Sequence, residues 1–362
     1  MMRERLPVLL GVFCVMALSN AVVPVLTRFS PSTFEQSGIF AAYFLGAFIF
    51  TIPAGIMVDK TGPVLFMRLG ILISLIAGSI LCIPQNFLLM IGFRFLEGIG
   101  AGLFTAAGLS FVNSGPDHEI FAGYFIAFLN LGLVLGLGFT GFLVDVFKNP
   151  LFGMYVFTAM LCIPLFTSQI LKNREGIKHS SSKKYGYQIR KIFAIGIRNF
   201  WIFWSVLIIL GVTGGVTAIY PEYSGMDSLP LGLIVAGMNV ATICSSLLSA
   251  HARFPPVKTI RFAALTGAFA VFLCLQSFIG FIILGFLAGF VIISQLSYLS
   301  FSEKEQGTTM SLYNMASYAG MALIPAISGF VSEKINFFAA FSIIALLSLS
   351  VSITIDRCNC TN

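Results

Sequence analysis

Apolar residues occur along this chain in long blocks, and each block ends at a short stretch of polar, proline or glycine residues. Cutting the sequence at these stretches leaves twelve segments of about 19 to 28 residues, each long enough to cross a bilayer as a helix. We number these predicted spans 1 to 12, and they cover residues 6–28, 34–58, 63–83, 86–112, 119–146, 149–171, 196–220, 229–251, 257–275, 277–301, 307–332 and 336–355. The pattern predicts an all-α membrane protein with twelve transmembrane helices.

Composition leads to the same class of protein. Apolar residues make up 57% of the chain and charged residues 10%, whereas a soluble domain carries roughly a quarter charged residues. A water-soluble protein is therefore excluded, and the lipid bilayer is the first partner that the sequence predicts.

The distribution of basic residues predicts the orientation. If the N-terminus lies inside, 17 of the 21 lysines and arginines fall on the inner side, and one, Arg94, lies within a span. The three on the outer side are Arg28, Lys148 and Lys334. Because cytoplasmic loops carry an excess of Lys and Arg, we expect a multi-pass protein of the plasma membrane with both termini in the cytoplasm. This asymmetry also accounts for the net charge of +7, so no nucleic-acid partner is expected.

Four short matches in chain order relate the first six spans to the last six. The matched segments are Asn20–Pro24 with Thr217–Pro221, Pro63–Arg68 with Pro256–Arg261, Arg94–Gly98 with Gly285–Gly289, and Gly123–Gly136 with Gly307–Gly320. A nearly constant separation of this kind predicts two pseudo-symmetric six-helix bundles, 1–171 and 195–362, joined by a cytoplasmic linker at 172–194. Duplicated halves are a transporter architecture, with the site between them near the middle of the membrane.

Span 4 carries the only charges that lie well inside a predicted span. Arg94 and Glu97 are three residues apart, so they share one face of a helix and can partly neutralise each other. An ionised side chain at this depth costs several kcal/mol unless it is paired or faces a wet cavity. The equivalent positions in the repeat are Gly285 and Ala288, so the fold does not require charges there. This favours a functional role, and a buried pair that only locks span 4 to its neighbours is the alternative.

A second motif lies between spans 2 and 3. Gly55 permits close packing at the inner end of span 2, Asp59 and Lys60 lie at the water boundary, and Gly62 allows a tight reversal of the chain. From physical chemistry alone, a charged cap on a helical hairpin is the simpler interpretation of this segment.

These features together resemble the major facilitator superfamily of secondary transporters. The twelve spans, the central linker, the G-x-x-x-D-[RK]-x-G turn after span 2 and the R-x-x-[QE]-G-x-G pattern in span 4 match across the whole chain. The resemblance implies that Gly55, Asp59, Lys60 and Gly62 belong to a cytoplasmic gate, and that spans 1 and 4 line a central cavity. One departure is Pro63-Val64, which replaces the basic residues that the family carries after the turn.

Glycines predict close helix packing in spans 4 and 5. Three of them, at positions 98, 100 and 102, follow the charged pair and allow another helix to approach that face. Those of span 5 have the spacing of the glycine ladder found in proton antiporters of the family, but Leu137 stands where the family has proline. The ladder positions are Gly123, Gly132 and Gly136. Helix packing is therefore the favoured interpretation of span 5, and the antiporter signal is partial.

Other polar residues inside apolar spans are candidates for contact with a substrate. Asn20 and Arg94 lie at similar heights, roughly 21 Å and 18 Å from the inner face, so contact between them is expected. The remaining candidates are Asn130 in the first half and Thr217, Tyr220, Asn239, Gln295, Tyr298 and Asn314 in the second. Each of these, taken alone, is more simply explained as a packing or backbone-bonded residue.

No metal or cofactor is expected. The seven cysteines show no metal or disulfide spacing, and His118, His179 and His251 lie in inner loops or at span ends. A histidine proton relay is therefore disfavoured. Glu97 is the candidate proton-coupling residue, because burial favours its neutral form while Arg94 favours the carboxylate, and the sequence leaves that balance open.

We therefore expect a monomeric secondary transporter that moves a small organic solute, lipophilic or cationic, by alternating access. Proton-coupled efflux is the first hypothesis for its mode of transport. Facilitated or symport uptake, or a non-transporting sensor of the same fold, are the alternatives. A polytopic membrane enzyme is least favoured, because no nucleophile, metal cluster or acid–base pair stands at an interface.

Overall fold

Among the residues that the computed structural model describes, twelve helices are long and apolar enough to cross a membrane. The structure describes residues 2–83, 86–113, 118–171, 193–252, 254–303 and 306–358, and no strand occurs among them. The predicted all-α class and the twelve spans are confirmed.

The helices agree with the predicted spans to within about a turn at most ends. Spans 1 to 6 are Met2–Ala21 with the short helices Val23–Val25 and Leu26–Phe29, Thr33–Thr61, Pro63–Leu81, Phe87–Asn113, His118–Phe147, and Phe152–Met160 with Cys162–Thr167 and Ser168–Ile170. Spans 7 to 12 are Phe200–Ser224, Ser228–Ala252, Pro256–Leu273, Ile279–Ser302, Gln306–Lys334, and Phe337–Thr354 with Ile355–Arg357.

Prolines account for breaks in the helices of spans 1 and 6. Pro24 lies in the tight turn that interrupts span 1, and Pro164 follows the interruption of span 6. Proline has no N–H to donate to the carbonyl four residues earlier. In span 6 that carbonyl belongs to Met160, and the thiol of Cys14 contacts it at 3.7 Å.

Span 7 corrects one predicted boundary. The prediction ended this span at Tyr220, directly before Pro221, but the helix continues through the proline to Ser224. It ends at Gly225, which has a φ of 59° and so adopts the left-handed conformation that glycine tolerates. The prediction was wrong here because transmembrane helices accommodate an internal proline more readily than soluble helices do.

The matched Pro-Val…Arg segments occupy equivalent places in the two halves. Arg68 of span 3 donates hydrogen bonds to the carbonyls of Ser168 and Leu171, at 3.0 Å and 2.9 Å, at the end of span 6. Arg261 of span 9 pairs with Asp356 at 2.7 Å, at the end of span 12. In both copies the arginine therefore ties the third helix of a bundle to the end of the sixth.

The chain forms two compact units. The first comprises Met1–Ser30, Ala42–Ser182 and Met226–Ala236, and the second comprises Pro31–Ala41, Lys183–Gly225 and Gly237–Asn362. The division falls within spans 2 and 8, which are equivalent in the predicted repeat. The first turns of span 2 belong to the second unit and the rest of that helix to the first. In span 8 the first turns belong to the first unit and the rest to the second. The bundle boundaries expected from the sequence stay a prediction.

Candidate functional site

The charged pair of span 4 lies in the interior of the first unit. Arg94 and Glu97 are each 1% exposed, and Arg94 Nη1 donates to Glu97 Oε2 at 2.7 Å. The two residues stand three apart on one continuous helix, so the helical repeat alone brings their side chains together. The predicted pairing on one helix face is confirmed.

Two further spans complete the environment of the Arg94 guanidinium. Its Nη2 atom donates to the carbonyl oxygen of Ser19 at 3.2 Å, and its Cζ atom lies 4.9 Å from the centre of the Tyr43 ring. The Ser19 carbonyl is close to the end of the helix Met2–Ala21, where the last carbonyls have no intrahelical donor. The guanidinium is thus held by a carboxylate, a backbone carbonyl and an aromatic face, which suits its delocalised charge.

Glycines next to the pair bring spans 2 and 3 close to span 4. A Cβ atom at Gly98 would overlap the carbonyl oxygen of Tyr43, and one at Gly102 would lie against span 2 as well. On the other side, a Cβ atom at Gly100 would approach the Gly70 carbonyl of span 3 to 2.7 Å. The close approach predicted from these glycines is confirmed, and it places the Tyr43 ring within reach of Arg94.

Glu97 has one oxygen engaged and one without a partner. Oε2 accepts from Arg94, whereas Oε1 is buried and has no hydrogen-bond partner among the residues that the structure describes. A buried acceptor without a donor is costly, and such groups in native proteins call for an explanation. The site therefore contains one buried carboxylate oxygen that can still accept a hydrogen bond.

The other two candidates of the first unit make different contacts. Asn20 donates to the carbonyl of Leu133 at 3.3 Å, and the contact between span 1 and Arg94 runs through the neighbouring residue, Ser19. Asn130 donates to the carbonyl of Ile126 in its own helix at 2.8 Å. The height estimate thus pointed to the correct level of span 1, but the atom that contacts Arg94 belongs to the backbone.

In the second unit, Gln295 lies at the centre of a buried hydrogen-bond network. Its Nε2 atom donates to Ser205 Oγ at 3.0 Å, and Tyr313 Oη donates to its Oε1 atom at 3.3 Å. The side chain of Gln295 is completely buried, so both ends of its amide need such partners. The sequence pointed to Gln295 but not to Ser205 or Tyr313, because a single serine or tyrosine in an apolar span is not distinctive.

Two further candidates of the second unit, Thr217 and Tyr220, make contacts outside this network. The hydroxyl of Thr217 donates to the carbonyl of Thr213 in its own helix at 2.8 Å, and the Tyr220 ring packs on Phe281 with 4.4 Å between ring centres. The other three are half-buried: Asn239, Tyr298 and Asn314. Thr217 thus satisfies its polar group within its own helix, as expected for a packing residue.

The turn after span 2 has the predicted backbone. Helix Thr33–Thr61 ends directly before Gly62, which has a φ of 91°, and Pro63 begins span 3. The N–H group of Gly62 donates to the Val58 carbonyl at 2.8 Å, which closes the helix. A Cβ atom added at Gly55 would meet no atom of the described residues within 4 Å, so this glycine is not a close-packing contact. The side chains of Asp59 and Lys60 lie outside the described residues, so the gate role stays a prediction.

The described residues contain no group of three or more His, Cys, Asp or Glu side chains placed to hold a metal ion. The twelve candidate spans among the described residues define a polytopic membrane protein. The family model of the Major Facilitator Superfamily matches residues 8–300 and 216–355, and the chain belongs to that superfamily. It is a multi-pass membrane protein of that superfamily.

Curated relatives and solved structures agree with this assignment. The quinolone resistance protein NorA of Staphylococcus aureus (strain Mu50 / ATCC 700699) is 25% identical over 218 residues, which cover 59% of this chain and 55% of NorA. The chain thus aligns with just over half the length of this relative.

The match to the nucleoside transporter NupG covers 100% of this chain and 99% of NupG, at a TM-score of 0.75 and 13% identity. The E. coli fucose:proton symporter FucP matches at 0.66 and 17%, over 98% of each chain. At these identities the two structures show the shared fold.

Proposed function

We propose that this protein is a proton-coupled secondary transporter that exports a small organic solute by alternating access, with Glu97 as the coupling residue. The observation that carries the proposal is the buried carboxylate of Glu97, which has one oxygen held by Arg94 and one without a partner among the described residues. The protein would act as a monomer in the plasma membrane, with both termini and the linker at 172–194 in the cytoplasm.

The electrostatics of the pair suit an exchange reaction. With both groups ionised the site is neutral overall, and adding a proton to Glu97 leaves the net positive charge of Arg94 at membrane depth. A net charge at this depth costs several kcal/mol. Binding a proton and a cationic solute at the same time would therefore cost more than binding either one alone. A proton and a cationic solute would therefore compete for the free carboxylate oxygen, and competition of this kind is what an antiporter requires.

Efflux is supported by the partial likeness to a quinolone resistance protein, since resistance follows when a drug is removed from the cell. Proton-coupled uptake is the second candidate, because a fucose:proton symporter has the same fold. A sensor without transport activity is less favoured, because it has no need of a buried ion pair. We further propose that Gln295, Tyr298 and Asn314 contribute polar contacts to the solute in the second bundle, and that Asp59 and Lys60 act at the cytoplasmic gate.

Transport by purified protein in liposomes tests the proposal. The probes are a fluorescent quinolone, the lipophilic cation ethidium, a radiolabelled nucleoside and radiolabelled fucose, each with and without an imposed pH gradient. The wild type should accumulate at least one of these probes only when the gradient is present. A protein that moves none of them under either condition would contradict a transport function for this class of solutes.

The coupling role is tested with Glu97→Gln, which keeps the shape of the side chain and its ability to accept a hydrogen bond. This variant should lose accumulation driven by the pH gradient and keep exchange of the probe across the membrane. Asp145→Ala, which removes an exposed carboxylate 53% accessible to solvent, is the matched control and should behave as the wild type. If Glu97→Gln still accumulates the probe at the wild-type rate under a pH gradient, Glu97 is not the coupling residue. The ion pair then has a structural role.

A further inference from the structure

Two carboxylates of the second unit hold the first turns of span 2. We propose that Glu333 and Glu222 form a latch on this end of the helix that opens and closes during the transport cycle, a role that rests on the proposed transport function. The latch lies within the second unit, because Pro31–Ala41 is grouped there with spans 7 and 11.

Glu333 acts as the cap of a helix that begins some 300 residues before it in the sequence. Its Oε2 atom accepts from the backbone N–H of Phe34 at 3.0 Å and from the hydroxyl of Ser32. The first N–H groups of a helix have no partner within the helix, and a carboxylate at that end also interacts favourably with the helix dipole. The preceding residue, Ser32, caps the helix in the usual way by accepting from the N–H of Glu35 at 3.3 Å, and another span supplies the acceptor for the N–H of Phe34.

The second contact lies one turn further along span 2. Gln36 is completely buried and its Nε2 atom donates to Glu222 Oε2 of span 7 at 2.8 Å. Close packing accompanies these bonds, because a Cβ atom at Gly329 of span 11 would overlap the side chain of Ser37. Polar contacts from two spans therefore converge on one short segment of span 2.

The equivalent segment of span 8 is held in a different way. A Cβ atom at Gly141 of span 5 would overlap the carbonyl of Ser228, and one at Gly232 of span 8 would lie 2.6 Å from the carbonyl of Leu137. These contacts are made by glycines and backbone atoms. The carboxylate contacts are thus a property of span 2 rather than of the repeat.

In this proposal the first turns of span 2, which pack in the second unit whereas the rest of the helix packs in the first, change their contacts during transport. Contacts to exposed carboxylates are suited to repeated opening, because water replaces the lost hydrogen bonds when the groups separate. Glu333 is exposed and Glu222 is half-buried, so both can be rehydrated. The structure therefore assigns the opening step to the first turns of span 2.

Cross-linking measures the latch without a substrate. Phe34 and Phe330 are both exposed, with ring centres 6.0 Å apart beside the Glu333 contact, so the pair Phe34→Cys with Phe330→Cys should react rapidly with a short bis-methanethiosulfonate reagent. Adding Glu333→Ala should slow this reaction about tenfold, because a charge-assisted bond is lost. Glu333→Gln keeps an acceptor oxygen and should slow it only about two- to threefold. The single-cysteine variants correct for reaction with native cysteines, and Asp145→Ala is again the matched control.

Function is then measured on the cross-linked protein in the liposome assay, with ethidium and the fluorescent quinolone as probes. Cross-linking should abolish transport, and cleavage of the cross-link with a reducing agent should restore it. A cross-linking rate that neither Glu333→Gln nor Glu222→Gln changes, or full transport by the cross-linked protein, would overturn the latch. Failure of the uncross-linked protein to move any probe would contradict the proposed function instead, and the cross-linking rates would still decide whether the carboxylates hold span 2.

Discussion

Spans 4 and 10 hold equivalent positions in the predicted repeat, and they pack against a neighbouring helix with different residues. In span 10, Gly285 and Gly289 leave room for the backbone of span 8, since a Cβ atom at Gly285 would overlap the carbonyl of Met238. In span 4 the position equivalent to Gly285 is Arg94, and the close approach of span 2 is made by the glycine four residues later, Gly98. Arg94 itself contacts the Ser19 carbonyl and the Tyr43 ring, whereas glycine stands at the equivalent position of span 10.

The comparison shows that this fold can be built without the ion pair. Replacement of a buried pair by well-packed apolar groups is often neutral or stabilising, and span 10 is a natural example of such packing. Retention of Arg94 and Glu97 in span 4 is therefore better explained by a task than by stability. The free oxygen of Glu97 is the feature that the apolar copy lacks.

The largest effect should follow from breaking the pair on one side only. Arg94→Ala leaves the Glu97 carboxylate buried without a counter-charge, which should cost about 3–5 kcal/mol of stability. The double variant Arg94→Gly with Glu97→Ala reproduces the residues of span 10 and should recover a large part of that loss, although it would not couple transport to protons. The measurement is the thermal unfolding midpoint of protein purified in detergent. A double variant no more stable than Arg94→Ala would show that the two spans do not pack in equivalent ways.

A smaller effect is expected from filling the space at Gly285. Gly285→Ala places a methyl group against the Met238 carbonyl and should cost about 1–3 kcal/mol, because the two backbones must separate. Gly55→Ala is the matched control, since its added methyl group would meet no atom of the described residues within 4 Å beyond its own helix backbone and chain neighbours, and helix propensity should make it neutral or slightly stabilising. The same unfolding measurement applies, and equal midpoints for the two variants would contradict the close approach of spans 8 and 10.

Effects of similar size or smaller concern the two arginines that tie the third helix of each bundle to the sixth. Arg68→Ala removes hydrogen bonds to several backbone carbonyls at the end of span 6 and should cost about 1–3 kcal/mol. Arg261→Ala removes a pair whose side chains are 59% and 51% exposed, so its cost should be below about 1 kcal/mol. Added salt should weaken the Arg261 contribution first, because exposed charges are screened. A larger loss for Arg261→Ala than for Arg68→Ala would reverse the expected order.

The sequence by itself determined the features that depend on local order along the chain. Hydrophobic blocks of spanning length predicted the twelve helices, and a spacing of three residues predicted that Arg94 and Glu97 pair on one helix face. The glycines beside them predicted a close neighbour. Each of these follows from the length and period of a single helix, which the residues of that helix specify.

Only the tertiary structure decided which groups meet across helices. Arg94 contacts the Ser19 carbonyl and the Tyr43 ring, although the expected partner in span 1 was Asn20. Gln36 similarly reaches Glu222, 186 residues further along the chain. Such contacts depend on the rotation of each helix about its axis and on the distance at which two helices cross. Both are set by packing of the whole bundle, and hydropathy in one span carries no information about the side chain that a neighbouring span presents.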